Sequence, residues 1–166
     1  KLYFIAGNRD FLVGEAFAQR TGVEILADMT VVELDGKRVM LAHGDRFCID
    51  DTAYMQAREK FLDPAWQQQV LKTPIEARLN AAQDLRKQSE EIKRNKPEAI
   101  MDVNLGEIER VFREYSLDIL IHGHTHRPYV HKLDIDGREC RRYVLGEWLR
   151  ERSVIYANQG KYYLKK

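Results

Sequence analysis

Asp118-Ile119-Leu120-Ile121-His122-Gly123-His124-Thr125-His126-Arg127-Pro128 changes chemistry half-way along. Its first four residues have the brevity and apolar character of a buried strand. Three imidazoles then alternate with Gly123 and Thr125 before Pro128 closes the loop, and the chain holds five histidines in all. His-X-His spacing sets two imidazoles near enough to serve one ion or two adjacent ones. Imidazole nitrogen suits divalent ions such as Mn, Fe or Zn, so the stretch predicts a strand delivering ligands to a metal.

Working outward, two more predicted strands end in ligand-bearing loops. Leu2–Ala6 reads as a buried strand running into the turn Gly7-Asn8-Arg9-Asp10, and Arg38–His43 ends in His43-Gly44-Asp45. In open α/β sheets, sites form beyond the carboxyl ends of strands, so loops carrying Asn8, His43, His124 and His126 are placed to converge. A helix over about 11–20, capped by Asp10 and stopped by Gly22, follows the first loop. Met29–Leu34 and Arg38–His43 form a hairpin about Asp35-Gly36. Thr52–Pro97 is helical and charge-rich with breaks at Pro64 and Pro74. Asn104 caps a helix with Leu105, Ile108, Val111, Phe112 and Tyr115 at helical spacing, and Glu107 gives a capping-box pattern. After Pro128 the chain alternates as a β meander to its last strands, Val154–Ala157 and Tyr162–Leu164. Strands separated by helices, followed by hairpins, predict an α/β layered fold with a mixed sheet.

Composition limits the alternatives. The 44% hydrophobic and 32% charged residues suit one globular domain over 1–166, and Lys+Arg 27 against Asp+Glu 26 leaves +1, so no net field recruits nucleic acid. No apolar run reaches the ~20 residues of a spanning helix. Cys48 and Cys140 lack a Cys-X-X-Cys arrangement and read as small apolar residues. His131 follows the cluster without a nearby partner in sequence and reads as a surface strand histidine. No Gly-X-Ser-X-Gly or Cys/His signature supports a covalent nucleophile.

Gly7-Asn8-Arg9-Asp10, His43 and Gly123-His124-Thr125-His126 resemble, in order, the last three motifs of the calcineurin-like metallophosphoesterases. Arg9 within the first of them, His43-Gly44-Asp45, the run His122–Pro128 and Leu133-Asp134-Ile135-Asp136-Gly137 narrow the likeness to the UDP-2,3-diacylglucosamine diphosphatases of lipid A biosynthesis. The resemblance implies a layered metallophosphoesterase fold with a helical cap over about 52–97. It also implies two Mn²⁺ ions, with Asn8, His43, His124 and His126 as metal ligands. It assigns Asn8, Arg9 and His124 to catalysis, and Asn8, Arg9, Asp51, Ser89, Lys93, Lys96 and His124 to substrate binding. The implied reaction releases UMP and 2,3-diacylglucosamine 1-phosphate at the cytoplasmic face of a Gram-negative inner membrane, on a peripherally attached enzyme.

The family's Asp-X-His and Gly-Asp motifs precede Gly-Asn-Arg-Asp, and only Lys1–Ala6 precede it here. The expectation is therefore an upstream βαβ portion outside this chain. With it would go the bridging aspartate and most of one ion site, leaving weak metal binding and low activity; Asp10, Asp28 and Asp45 are the nearest remaining carboxylates. On the substrate side, Leu79, Ala82, Arg86, Ser89, Lys93 and Lys96 follow 3,4,3,4,3 spacing, which predicts one helical stripe turning from apolar to basic. Tyr54, Met55, Phe61, Leu62, Trp66, Val70 and Leu71 offer apolar surface for packing the cap or lining an acyl slot. Two other readings stand beside this one: a phosphatase or nucleotide hydrolase with a different cap, and an inert metallophosphoesterase-fold binding domain. Oligomeric state is left open.

Overall fold

A computed structural model describes residues 1–94, 96–97, 100–149 and 152–166. The central element is a five-stranded mixed sheet in the order β3-β4-β5-β7-β6, built from β3 (Thr30–Leu34), β4 (Lys37–Ala42), β5 (Ile119–His122), β6 (Tyr129–Ile135) and β7 (Arg138–Val144). The three middle strands run parallel and the two outer pairs are antiparallel hairpins. Asp35 and Gly36 take φ +50° and +71° in the first hairpin turn, and Asp136 and Gly137 take +54° and +79° in the second. Both dipeptides thus occupy the left-handed backbone that a two-residue turn between twisted strands requires.

Alternation along the strands divides the interior into two layers. Met40 and Leu120 face one side with Phe47, Cys48, Ile108, Val111, Phe112, Leu117, Ile135 and Cys140. Val39, Ile119, Tyr143 and Tyr162 pack on the other. The first layer is closed by α5 (Leu105–Glu114), whose Ile108, Val111 and Phe112 are fully buried. Burying each such side chain contributes about 1.5–3 kcal/mol. Asn104 Oδ1 accepts the Glu107 N–H at 3.0 Å, as the sequence predicts for the cap. The reciprocal half of the capping box is replaced: the Asn104 N–H donates to the Phe47 carbonyl at 2.8 Å, and the Glu107 carboxylate turns to Arg110.

Residues 52–94 form three helices between β4 and α5: α2 (Thr52–Leu62), α3 (Pro64–Lys72) and α4 (Ile75–Arg94). Asp51 and Asp63 cap the first two by accepting from the Tyr54 and Trp66 amides, and Pro64 occupies the first helical position, where its missing N–H costs nothing. The proline breaks fall where the sequence places them.

Three sequence expectations are corrected. The helix predicted over 11–20 is α1 (Glu15–Thr21) and starts from Gly14, because Asp10 is turned back: its Oδ1 accepts the Gly7 N–H at 2.7 Å and holds the preceding turn. The predicted buried strand is β1 (Tyr3–Ile5), which pairs in parallel with β2 (Glu24–Leu26) in a two-stranded sheet, leaving Leu2 69% and Tyr3 55% exposed. The C-terminal meander divides: among the described residues β8 (Val154–Asn158) and β9 (Lys161–Lys165) pair only with each other, and Tyr162 anchors that hairpin by donating its hydroxyl to the Leu34 carbonyl at 2.6 Å.

Candidate metal and phosphate site

Sheet register brings the histidine loops together. Ala42 lies opposite His122 across the parallel β4–β5 pair, so His43 and Gly123 leave the same sheet edge side by side, and the Gly123 N–H donates to the His43 carbonyl at 2.9 Å. One residue further on, His124 Nδ1 is 3.2 Å from His43 Nε2. Asn8, from the loop after β1, brings its Oδ1 to 3.2 Å from the same His43 nitrogen. Asn8, His43 and His124, chosen from three separate stretches of sequence, thus meet in one cluster. His126 sits two residues along the same loop and is exposed.

Close packing explains two of the glycines. A Cβ on Gly7 would stand 2.6 Å from His43 Cε1 and Nδ1, so only glycine lets the imidazole lie against this turn. A Cβ on Gly44, where φ is +113°, would stand 2.7 Å from His122 Nδ1. His124 and His126 themselves hold φ +64° and +54°. Such left-handed backbone is uncommon for residues with a side chain and clusters at functional sites.

The donor set fits a divalent ion. Two ligand atoms each about 2.1 Å from one ion lie about 3.0–3.4 Å apart in octahedral or tetrahedral geometry, which brackets both 3.2 Å separations. Two imidazole nitrogens and an amide oxygen suit the borderline and hard divalent ions. No group of three His, Cys, Asp or Glu side chains forms a metal cage among the described residues, so the amide of Asn8 is what completes the trio.

A network of charged residues backs the cluster. The buried Asp45 accepts from the Tyr54 hydroxyl at 2.7 Å and Arg58 Nε at 3.0 Å. Burial raises its pKa, but the Tyr54 hydrogen bond and the Arg58 charge, with smaller help from His43 and His124, more than offset this and hold it below the ordinary carboxylate value. Burial and the Asp45 charge push the Tyr54 phenol well above its usual range, keeping it a donor. Asp28 accepts the His43 N–H through Oδ1 at 3.0 Å and Arg58 Nη2 through Oδ2 at 3.1 Å. His122 is pushed down to about 3, chiefly by burial. Its neutral ring faces Gly123 O through Nδ1 and Arg142 Nη1 through Nε2, so it braces the loop from behind.

The predicted substrate residues meet in pairs. Arg9 Nη2 donates to Ser89 Oγ at 3.2 Å, joining the Asn8 loop to α4. Lys96 Nζ reaches both Asp51 oxygens, at 2.6 and 2.7 Å. Lys96 does not continue the helical stripe, since α4 ends at Arg94 and the chain bends to turn the ammonium back to Asp51. The Lys93 side chain lies outside the described residues. Between the Asn8 loop and α2, a cavity of ≈150 Å³ is lined by Asn8, Phe11, Leu26, Asp28, Asp45, Tyr54, Arg58, Phe61 and Leu62 among others. Phe11 stacks on Phe61 at 5.2 Å, and Trp66 leans on both rings.

A family profile described as calcineurin-like phosphoesterase matches residues 1–128. This chain belongs to that family. Its members work with divalent metal ions, in keeping with the donor set around His43. The chain is 49% identical over 148 residues to the UDP-2,3-diacylglucosamine hydrolase of Chromohalobacter salexigens, covering 89% of this chain and 60% of that protein. It is 47% identical over 161 residues to the protein of the same name from Xanthomonas axonopodis pv. citri, covering 93% and 65%. The Cellvibrio japonicus protein of that name gives 47% over 147 residues, with 89% and 61% covered. The chain thus spans about three-fifths of the length of these curated relatives.

Arg58 and the role of Tyr54 as a donor escaped the sequence reading. The available signal was their i, i+4 spacing on one face of α2, with Asp45 two residues after His43 to receive both.

Proposed function

We propose that the protein containing this chain hydrolyses the diphosphate of UDP-2,3-diacylglucosamine, with water, to UMP and 2,3-diacylglucosamine 1-phosphate. The observation that carries this reading is the gathering of Asn8 Oδ1, His43 Nε2 and His124 Nδ1 within 3.2 Å steps, with Arg9, the next residue on the Asn8 loop, joined to Ser89 of α4. Relatives at 47–49% identity named for this hydrolase support the choice of substrate.

Asn8, His43 and His124 would hold one Mn²⁺, and His126 would contribute to a second. Such ions supply Lewis-acid polarisation of a phosphoryl oxygen. The protein's own groups do the rest. Arg9 presents a guanidinium fork to the diphosphate, neutralising charge in the bound substrate and charge that moves during cleavage. Asn8 and His124 orient the reacting phosphate, and Asp51, Ser89, Lys93 and Lys96 bind the acylated sugar phosphate under the helical cap. Phe11, Leu26, Phe61 and Leu62 give the cavity an apolar wall suited to an acyl chain, each buried methylene contributing about 0.8 kcal/mol. A diacylated substrate resides in a bilayer, so the site works at the cytoplasmic face of the inner membrane through peripheral attachment. No helix among the described residues is long and apolar enough to cross a membrane.

The test is release of UMP from UDP-2,3-diacylglucosamine by the longest gene product containing these residues, with Mn²⁺, beside p-nitrophenyl phosphate and diadenosine polyphosphates. Preferential turnover of the lipid nucleotide, lost in His124→Ala, is expected. Preference for the soluble esters would assign a different hydrolase, and metal binding without any turnover would assign a binding domain.

A further inference from the structure

Arg58 lies one helical turn beyond Tyr54 on α2, and both side chains reach the sheet edge that carries the histidines. The guanidinium is divided between two carboxylates that belong to different loops: Nε to Asp45 Oδ2 at 3.0 Å, and Nη2 to Asp28 Oδ2 at 3.1 Å. The side chains of Arg58, Asp45 and Asp28 are only 14%, 7% and 23% exposed. Each carboxylate passes the connection on. Asp28 Oδ1 takes the His43 N–H at 3.0 Å, fixing that residue's backbone. Asp45 Oδ2 also takes the Tyr54 hydroxyl at 2.7 Å, and the Tyr54 ring lies 5.7 Å from the His124 ring. A series of contacts therefore runs from one guanidinium through Asp28 to the backbone of His43, and through Asp45 and Tyr54 to the ring of His124.

We propose that Arg58 is a positioning residue, a clamp from the helical insert that sets the separation of His43 and His124 without itself touching metal or substrate. The proposal rests on the reading of Asn8, His43 and His124 as a divalent-cation site, and extends it to a residue on another element. Charge supports it: one guanidinium against two carboxylates leaves a net negative charge behind the imidazoles, which favours a cation in front of them. Geometry supports it too. Arginine's rigid fork can serve two acceptors at fixed angles, whereas lysine's single ammonium on a flexible stem holds neither in a set direction. Groups that orient metal ligands from behind typically change metal affinity 10–100-fold when replaced.

The experiment uses the whole chain and its Arg58→Met, Arg58→Lys and Asp28→Asn variants. Three quantities are measured: Mn²⁺ affinity by titration calorimetry, the ¹H–¹⁵N imidazole resonances of His43 and His124, and thermal unfolding. A clamp predicts displaced resonances for both rings and at least tenfold weaker Mn²⁺ binding in the Arg58 variants, with a smaller displacement centred on His43 in Asp28→Asn. An ordinary structural ion pair predicts a lower Tm with both ring signatures unmoved and affinity within twofold, and that outcome overturns the proposal. If Arg58→Met does not fold, Arg58→Lys carries the same comparison with the charge retained. If the parent binds Mn²⁺ too weakly to titrate, the ring resonances alone decide: displacement of both in the Arg58 variants supports the clamp, and unmoved resonances overturn it.

Discussion

Substituting Gly7 by alanine tests the site through a single methyl group. The added Cβ would lie 2.6 Å from two atoms of the His43 ring and 3.0 Å from a third. Favourable contact between such atoms begins near 3.5 Å, so the ring must retreat by about 1 Å. Its Nε2 now sits 3.2 Å from both Asn8 Oδ1 and His124 Nδ1, and a retreat of that size opens the cluster towards 4 Å, beyond the spacing of two atoms on one ion. Overpacking of this kind costs about 1–3 kcal/mol, equivalent to a Tm decrease of about 3–9 °C for a chain of this size. Mn²⁺ affinity should fall by about 10-fold or more, since the proposed ligand nitrogen itself is displaced. Calorimetric titration together with a thermal melt measures both quantities. If Gly7→Ala bound Mn²⁺ as tightly as the parent and melted within about 1 °C of it, the packing argument would be refuted.

Two further outcomes are expected. Hydrogen bonding from Arg110 holds Glu107 below the ordinary carboxylate pKa, so its contribution to stability is present above about pH 4.5 and is lost as pH falls through the lowered folded value; Asp45 acts in the same sense. Melting curves taken between about pH 6 and pH 3 should therefore decline less steeply for Glu107→Gln than for the parent, and equal slopes would remove Glu107 from the acid limb. Cys48 and Cys140 are free and buried, with the Cys48 thiol pushed up to about 12, mainly by burial and the nearby Asp45 and Asp102 charges. The native chain should resist iodoacetamide at pH 8 and take up two carbamidomethyl groups once unfolded, as read by intact mass; rapid native labelling would contradict the packing.

Much of the Asn8–His43–His124 cluster could be read from the sequence because its candidate ligands sit at strand ends, where alternation and glycine punctuation leave local marks. The Asp35-Gly36 turn, the Asn104 cap and the His122–Pro128 loop each depend on neighbours a few residues away, and each was found where expected. What escaped depends on distance in sequence. Asp10 has the right chemistry for a helix cap, but the Gly7 amide claims it first. Lys96 matches a helical spacing, but the helix ends before it and Asp51 captures its ammonium. Arg58 has no local mark in the sequence, because its two partners, Asp28 and Asp45, lie 30 and 13 residues away. The hairpin β8–β9 is visible as two strands, but its separation from the main sheet is decided by where Tyr162 finds a burial site.

The left-handed backbone of His124 and His126 implies a conflict for anyone seeking a sturdier protein. At φ +64° and +54° a glycine would sit more comfortably than any residue with a β-carbon, relieving about 1–3 kcal/mol of strain at each position. A screen that rewards heat resistance alone would therefore favour replacing both histidines, erasing two of the proposed ligands while hardening the scaffold. Screening such a library for metal retention alongside melting temperature keeps the two pressures apart.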